Sequence, residues 1–207
     1  MDWHAWHSDY DEPGSVLAQR LSAVRERIRA ALDGVPPGPV TVVSMCAGQG
    51  RDLLGVLATH ERRADVTARL VELDPRNAEI ATRTATDAGL TGVEVRVGDA
   101  ALTDHYADLV PADLVLVCGV FGNIGEADIR STIAAGTQLC ASGGTVVWTR
   151  HRRPPDLVPR ICEWFDGYGF ELLSLSAPDE PFGVGAHRFA GTPRPLATGT
   201  RLFTFDR

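Results

Sequence analysis

Two glycines mark the first turn of the chain at which a ligand could bind. Gly48 and Gly50 stand in the segment CAGQG, where the apolar run of residues 40–46 gives way to a leucine-rich helical pattern. Glycines at a strand-to-helix turn let a ligand approach the backbone closely, and the helix that follows directs its free N–H groups toward that ligand. A tight turn that binds nothing would have the same sequence, so other residues must decide between the two.

Two carboxylates follow the next two apolar runs, Glu72 after the second and Asp99 after the third. A carboxylate at the first of these positions can accept hydrogen bonds from both hydroxyls of a ribose. Asp99 could accept from the amino group of an adenine while the Ala100 N–H donates to the ring. Each acid could instead be a helix cap, and Asp74 could either compete for the ribose or open a helix with Pro75 in its first turn. The order of the glycine turn and the two acids on three successive strand ends favours a nucleoside site.

Motifs that bind phosphates are absent from the glycine turn. A dinucleotide-binding fold would place a third glycine where this chain has Leu53. A phosphate-binding loop would end in Gly-Lys-Ser/Thr, but all 20 Lys and Arg residues of the chain are arginine. We therefore expect a ligand that is not held by its phosphates. We attribute the absence of lysine to a GC-rich bacterial genome.

Apolar runs and helical patterns alternate along the chain and would bring these turns to one edge of a sheet. Strands are predicted at residues 40–46, 67–73, 93–98, 113–118 and 144–149, and helices at residues 50–59, 75–88, 125–139 and 155–167. Such alternation is typical of a parallel sheet with helices on both faces. The last runs, FELLSLSA, GAHRFAG and RLFTFD, predict strands without helices between them, so we expect the sheet to finish in antiparallel strands.

Length and composition indicate one domain. A chain of 207 residues, 44% of them hydrophobic, can bury one core but is too short for two ordinary domains. Apolar residues at helical spacing predict a helix that starts near Val16 and ends at Gly34. Within the single domain of residues 1–207, we expect residues 1–37 to form an N-terminal helical lid and residues 38–207 to form the ligand-binding core.

Charge and cysteine spacing exclude several classes of protein. A net charge of −7 argues against nucleic acid as a partner, because nucleic-acid binders concentrate positive charge. The 4 cysteines form no CxxC pair, which argues against a zinc knuckle or a redox dithiol. The N-terminus lacks the pattern of a signal peptide, and no segment is long and apolar enough for a membrane span. We expect a reduced, cytoplasmic protein that binds neither nucleic acid nor membrane.

Together these motifs resemble those of the class I S-adenosylmethionine-dependent methyltransferases over about residues 38–207, and the fourth-strand segment ADLVLVCGVFGNI adds to the resemblance. The resemblance implies an α/β fold with a Rossmann-like, seven-stranded, mostly parallel sheet, helices on both faces and an antiparallel C-terminal strand. It implies S-adenosylmethionine as the cofactor and S-adenosylhomocysteine as its product. It further implies cofactor contacts from nine residues: Ala47, Gly48, Gly50, Glu72, Leu73, Asp99, Ala100, Cys118 and Gly119.

Two positions depart from the family pattern. Ser44 stands where the family usually has an acid, and Cys46 stands where it usually has its first glycine. Ser44 offers a neutral hydroxyl where a carboxylate normally orients water or the amino group. The departures therefore affect contacts with the methionine end of the cofactor, and leave the ribose and adenine contacts undisturbed.

The resemblance predicts methyl transfer to an oxygen or a nitrogen of a small metabolite. The loop GVFGN lacks the Pro-Pro-aromatic and Pro-Cys signatures of the members that methylate nucleobases or glutamine. An alcohol or phenol acceptor would need a general base. His151, at the end of the fifth strand, is the first candidate for this base, and His187 is the second. Arg152 next to His151 indicates a substrate that carries a carboxylate or a phosphate.

Aromatic side chains before the first helix are predicted to cover the site. Trp3, Trp6 and Tyr10 could form a lid that excludes water from the methyl transfer. Phe121 and Asn123 could line the substrate pocket, although a core phenylalanine and a turn-forming asparagine fit the sequence as well. We expect no metal, because its only ligands by residue type would come from one short segment: His4, His7, Asp9 and Asp11.

Three other functions are compatible with parts of this pattern. A protein side chain could be the methyl acceptor in place of a metabolite. The chain could also bind S-adenosylmethionine without transferring its methyl group, since no catalytic residue is secure from sequence. A nicotinamide-dependent oxidoreductase would use the same strand-end acid for its ribose, but the missing third glycine argues against it.

Overall fold

One seven-stranded sheet organises the chain in the computed structural model, which describes residues 10, 12 and 14–206. The strands in this part of the chain are β1 (Val40–Met45), β2 (Val66–Glu72), β3 (Val93–Val97), β4 (Ala112–Val117), β5 (Cys140–His151), β6 (Phe170–Leu175) and β7 (Phe182–Phe189). Their order across the sheet is β3-β2-β1-β4-β5-β7-β6. β7 runs antiparallel to both of its neighbours, and the other pairs are parallel. The predicted fold class is confirmed.

Helices connect the strands and pack on both faces of the sheet. Among the described residues they are α1 (Val16–Gly34), α2 (Leu53–Leu57), α3 (Pro75–Asp87), α4 (Glu126–Leu139) and α5 (Val158–Gly167), with short 3-10 helices at Glu61–Ala64 and Thr103–Tyr106. The Ser15 hydroxyl caps α1 by accepting from the Ala18 N–H at 3.0 Å. Within the described residues, no helix combines the length and the apolar character that crossing a membrane requires.

Alternate residues of the central strands supply two separate cores. Along β1, Val40 and Val42 pack with side chains of α1, α2 and α3, whereas Val43 and Met45 pack with those of α4 and α5. All residues of β1 except Thr41 are buried. A strand covered on both faces needs apolar residues at nearly every position, which is why this segment reads as a continuous apolar run rather than as an alternation.

The sheet reverses its direction of growth between β1 and β4. From β1 the chain adds β2 and then β3 on one side, and it then crosses back to add β4 on the other side of β1. The segments that follow β1 and β4 therefore leave the sheet on opposite faces. This opens a crevice at the carboxyl ends of the two strands, where ligands bind in open α/β sheets.

Three predicted elements differ from the structure. α2 starts at Leu53 and has 5 residues, where the sequence predicted a helix over residues 50–59. β5 is longer than predicted and includes 12 residues. The final run, residues 201–206, was predicted as a strand but forms only isolated bridges with Leu102 and Ile124. This run lies across the loops that follow β3 and β4, where its N–H groups donate to backbone carbonyls. It does not join the sheet.

Candidate functional site

A cleft of about 750 Å³ lies at the carboxyl ends of β1, β2 and β4, at the predicted edge of the sheet. Its volume is within the range of small-molecule sites in proteins. Most residues predicted to contact a nucleoside cofactor line it: Ala47, Gly48, Glu72, Leu73, Asp99, Ala100, Cys118 and Gly119. The structure thus brings together residues that are more than 70 positions apart in the sequence.

The two glycines of the first turn serve different purposes. Gly48 lines the cleft and has a φ of 55°. Its N–H donates to Glu72 Oε2 at 2.7 Å. Gly50 has a φ of 68° but does not line the cleft. A Cβ at Gly50 would lie 2.6 Å from Leu54 Cδ1, so this glycine is required for α2 to pack against the sheet. Cys46 also adopts a left-handed φ of 50°, the conformation for which glycine is best suited.

The start of α2 differs from the expectation that free N–H groups would point at a ligand. The Asp52 carboxylate precedes the helix and accepts from the Leu53 N–H at 2.7 Å. Asp52 lines the cleft, and burial raises the pKa of its carboxyl group. A carboxyl group therefore lines the cleft at the position where the sequence predicted free helix N–H groups.

Glu72 is held in one orientation by the backbone. It is 8% exposed at the end of β2, and its Oε1 accepts from the Asp74 N–H at 2.8 Å while its Oε2 accepts from the Gly48 N–H. A carboxylate oxygen can accept a second hydrogen bond, so both oxygens can still accept one from a hydroxyl group in the cleft. Asp74, the other acid considered for the ribose, caps α3 by accepting from the Arg76 N–H at 2.9 Å.

Asp99 is also fixed, although not only by the backbone. Its Oδ1 accepts from the Ala101 N–H at 3.0 Å, and its Oδ2 lies 2.8 Å from a guanidinium nitrogen of Arg201. The amide of the neighbouring Ala100, a buried residue, donates to no acceptor within residues 10, 12 and 14–206. One acceptor and one donor are thus presented side by side, as the edge of an adenine requires.

The loop after β4 contributes a polar wall to the cleft. The Gly119 N–H donates to Thr149 Oγ1 at 2.8 Å, and Asn123 Nδ2 donates to the Gly119 carbonyl at 2.7 Å. Thr149 and Asn123 both line the cleft. Phe121 does not reach it, which corrects the prediction for this residue. Its side chain is fully buried and packs against Trp148, with 5.9 Å between the ring centroids, because the loop turns it into the core.

Residues before and within α1 cover one end of the cleft. Tyr10, Arg20, Leu21 and Val24 line it. Arg20 Nη2 donates to Tyr10 Oη at 3.0 Å, and the Arg51 guanidinium lies 5.8 Å from the centroid of the Tyr10 ring. The other predicted lid residues, Trp3 and Trp6, lie outside the described residues, as do the four metal ligands considered: His4, His7, Asp9 and Asp11.

His187 is a core residue, and its assignment as a base is wrong. It is 1% exposed, and it pairs with Val146 in the middle of the sheet, away from the carboxyl edge. Its Nδ1 accepts from Trp148 Nε1 at 3.0 Å and its ring stacks on Phe165 at 4.3 Å. Burial lowers the pKa of His187 to about 4. A neutral imidazole packed among aromatic rings cannot exchange protons with a ligand in the cleft.

His151 is the last residue of β5 and Arg152 follows it, both at the predicted edge of the sheet, but neither lines the cleft. His151 lies beside Gly122, where an added Cβ would be 3.3 Å from His151 Cδ2, and its Nδ1 accepts from the Arg153 N–H at 3.2 Å. Burial, together with the charges of Arg150 and Arg153, lowers the pKa of His151. Arg152 pairs with Asp156 at 2.8 Å instead of facing a substrate, which corrects its predicted role.

Several cleft residues had no recognisable signal in the sequence. They belong to α1, to the turn around Asp52 and to the C-terminal run. The last group consists of Arg201, Phe203, Thr204 and Phe205. These side chains reach the cleft only because the chain folds back over the loops after β3 and β4. Position along the chain gives no indication of that contact.

Comparison with known proteins adds a family and a set of similar folds. The model of a family described as "Putative methyltransferase" matches residues 16–159, more than half of the chain. Magnesium protoporphyrin IX methyltransferase from Synechocystis PCC 6803, solved with bound S-adenosylmethionine, has a TM-score of 0.63 and 12% identity over 88% of each chain. A search of curated protein sequences gives no match.

Two further structures share the fold over most of this chain. A CurJ carbon methyltransferase has a TM-score of 0.67 and 13% identity, over 88% of this chain and 57% of that chain. An O-methyltransferase family 2 protein from Planctomyces limnophilus DSM 3776, in complex with apigenin, has a TM-score of 0.61 and 17% identity, over 83% and 59%. This chain thus spans less than two thirds of the length of either protein. The structures share the fold, and the family model covers more than half of the chain, so the chain belongs to this methyltransferase family.

Proposed function

We propose that the chain binds S-adenosylmethionine in the cleft and transfers its methyl group to an oxygen or a nitrogen of a small molecule. The observation that carries the proposal is the carboxylate of Glu72, which two backbone N–H groups fix at the cleft wall beside the glycine turn. We assign to Glu72 the ribose hydroxyls. We assign the adenine edge to Asp99 and to the Ala100 N–H, and one adenine face to Leu73, which is 66% exposed at the cleft.

The chain's own residues act in this reaction by orientation and by exclusion of water. When bound, the cofactor supplies a methyl group already activated by its sulfonium. Fixing an acceptor in line with such a group can contribute roughly 7 to 11 kcal/mol to the barrier reduction. Cys118 and Gly119 at the end of β4 lie beside Thr149 and Asn123, and we place the acceptor next to this wall. We infer that transfer proceeds without a histidine base, since neither His151 nor His187 lines the cleft.

A small molecule is the acceptor that best suits the surroundings of the cleft. The net charge of −7 disfavours a nucleic acid. Side chains of α1 and of the C-terminal run line the cleft, which favours a small acceptor over a polypeptide. We further propose that residues 38–207 act as the cofactor-binding core of one domain, with residues 1–37 as its covering extension. Structures of similar fold were solved with apigenin and named for magnesium protoporphyrin IX, both small molecules.

Isothermal titration with S-adenosylhomocysteine tests the proposed cofactor site. We expect binding to the wild type, no binding of NAD, and a loss of about 1 to 3 kcal/mol in Glu72→Ala, because polar ligand atoms lose their partner. Glu79→Ala, which removes an exposed carboxylate from α3 outside the cleft, should bind as the wild type does. Equal affinity in Glu72→Ala and Glu79→Ala would show that the cleft is not the cofactor site.

A further inference from the structure

Arg150 is a buried arginine near the end of β5 whose guanidinium is only partly hydrogen-bonded. It is 9% exposed, and among the described residues its one hydrogen bond runs from Nη1 to the Phe121 carbonyl. No described residue supplies an acceptor to its enclosed Nε. Nη2 also lacks an acceptor in this part of the chain but is not enclosed, so it reaches the surface. Burying a charge is costly unless the charge is paired and hydrogen-bonded, so such a guanidinium is suited to bind an anion.

Arg69 on β2 shows how the same fold pairs another buried arginine. It is 6% exposed, its Nε donates to Glu94 at 2.8 Å, and its Nη2 donates to Asp108 at 3.0 Å. Its hydrogen bonds to Asp108 and then to Glu94 raise the pKa of Arg69, whereas burial lowers the pKa of Arg150. Carboxylates of the protein thus satisfy Arg69, and Arg150 keeps the capacity to bind a ligand.

The two carboxylates whose charges act on Arg150, Asp156 and Glu126, are held by other groups. Asp156 Oδ2 accepts from Arg152 Nη1 at 2.8 Å, and its Oδ1 accepts from a backbone N–H at 2.9 Å. Glu126 lies 3.7 Å from Arg160 Nη1. Both carboxylates attract Arg150 from a distance, and within the described part of the chain neither hydrogen-bonds to it. The guanidinium therefore keeps an open place for an acceptor.

The surroundings of Arg150 are positively charged in a chain whose net charge is −7. Beside the two carboxylates stand four arginines: Arg150, Arg152, Arg153 and Arg160. Arg153 is exposed. Guanidinium groups match the oxygens of carboxylates and phosphates in geometry as well as in charge. An oxyanion is therefore the ligand that suits this place.

Arg150 lies directly behind the wall of the cleft next to which we placed the methyl acceptor. Thr149, which precedes it, lines the cleft. Phe121, whose carbonyl accepts from Arg150, belongs to the loop after β4, and Gly119 and Asn123 of this loop also line the cleft. Arg150 thus connects the acceptor wall to a positively charged surface.

We propose that Arg150 binds a carboxylate or phosphate group of the methyl acceptor, which makes the acceptor an anionic small molecule. The proposal rests on the methyl transfer proposed above and adds the chemical class of its acceptor. Nη2 donates to the oxyanion, while Nη1 stays on the Phe121 carbonyl and holds the loop after β4. Arg150 thereby selects the acceptor by charge and places its reacting atom against Thr149 and Asn123.

Inorganic phosphate and acetate test the anion site in the full chain without the acceptor. The NMR signal of the Arg150 Nε–H group, identified by its loss in Arg150→Lys, should shift saturably with either anion at an ionic strength held constant with chloride. The Arg69 signal should not move, because carboxylates already hold that guanidinium. No shift at Arg150, or only the unsaturable shift expected of the exposed Arg153, would mean an adventitious ion only and would overturn the proposal.

Arg150→Met and Arg153→Met form a matched pair of variants. From the rise of Tm with phosphate, we expect Arg150→Met to bind phosphate at least tenfold more weakly than the wild type, as loss of a charged hydrogen-bond partner does. Arg153→Met should bind it within twofold of the wild type. Arg150→Lys keeps the charge and a donor for the Phe121 carbonyl, so its affinity should be intermediate. Equal affinity in Arg150→Met and the wild type would contradict the proposal, and if Arg150→Met does not fold, the NMR titration of the wild type decides.

The charge of the methylated product tests the acceptor class without knowledge of its identity. With S-adenosylmethionine labelled in its methyl group and a metabolite extract, the labelled product should bind an anion-exchange resin at neutral pH, because the oxyanion on Arg150 is not the atom that is methylated. Arg150→Lys should form less of this product at an unchanged affinity for S-adenosylhomocysteine. Labelled product only in neutral or cationic fractions would overturn the anionic acceptor and leave methyl transfer standing.

Failure of the proposed function has a different signature. Wild-type protein that does not bind S-adenosylhomocysteine would refute methyl transfer in the cleft, whatever the result with Arg150. The phosphate titration needs neither cofactor nor acceptor, so it decides by itself whether Arg150 binds an oxyanion, also where the extract yields no labelled product.

Discussion

At the scale of single residues, His187 illustrates how burial sets the protonation of a side chain. Its ring is enclosed by Trp148 and Phe165, and burial lowers its pKa from 6.5 to about 4. The unfolded chain takes up a proton near pH 6.5, whereas the folded protein does so only near pH 4. Between these values the unfolded state binds more protons, so the free energy of unfolding must fall as the pH is lowered through this window.

Urea unfolding at pH 7.5 and pH 4.5 measures this contribution. One pKa unit corresponds to 1.36 kcal/mol, so we expect His187 to account for a loss of about 2 to 3 kcal/mol on acidification. In His187→Gln the difference in unfolding free energy between the two pH values should be smaller by that amount, whatever the variant's stability at pH 7.5. Other titrating groups contribute equally to both proteins. The same pH dependence in both would mean that His187 is protonated in the folded state.

At the scale of elements, the C-terminal run acts as one wall of the cleft. Its Leu202 N–H donates to the Ala101 carbonyl at 2.8 Å and its Thr204 N–H donates to Asp128 Oδ2 at 2.7 Å. Leu202 and Phe203 are 4% and 2% exposed. Burial of two such side chains stabilises the fold by about 3 to 6 kcal/mol. The run is therefore held firmly enough to shape the end of the cleft that contains Asp99.

Truncation after Thr200 tests this wall. We expect the free energy of unfolding to fall by about 3 to 6 kcal/mol and S-adenosylhomocysteine affinity to fall at least tenfold, because four lining side chains are removed. Circular dichroism should still show the sheet and helices. Phe205→Ala removes one partly exposed lining ring without the buried anchors, and it should lower the affinity with little loss of stability. Undiminished affinity in both proteins would show that this run does not contact the cofactor.

At the scale of the whole molecule, the cleft joins elements from both ends of the chain. Residues of α1, of the three central strand ends and of the C-terminal run meet around it. A ligand that binds only this arrangement must stabilise the entire fold by mass action. At a free concentration 100 times its dissociation constant, the stabilisation is about 2.7 kcal/mol.

Thermal unfolding with S-adenosylhomocysteine tests this stabilisation of the fold. For a chain of 207 residues, 1 kcal/mol corresponds to about 2–4 °C, so we expect Tm to rise by about 5–11 °C at that concentration. NAD at the same concentration is the control and should leave Tm unchanged. A rise with NAD and none with S-adenosylhomocysteine would favour the nicotinamide-dependent alternative over a methyltransferase.

The sequence by itself determined the sheet and the position of Gly48, Glu72 and Asp99 at one edge of it. The predicted boundaries of β1 to β4 agree with the structure within a few residues, because buried parallel strands need continuous apolar runs. Glu72 and Asp99 were predicted to lie close together, and both line the cleft, because the carboxyl ends of parallel strands share one edge of the sheet. That rule requires only the order of the elements, which the sequence contains.

Only the tertiary structure decided which side chains face the cleft. Phe121 and His187 have chemistry suited to a site, but the loop after β4 and the register of β7 turn both into the core. Arg20 and Arg201 carry no local motif, yet packing of α1 and of the C-terminal run brings them to the cleft. The physical reason is that side-chain direction depends on register and on contacts between residues far apart in the chain, and neither is encoded in local periodicity.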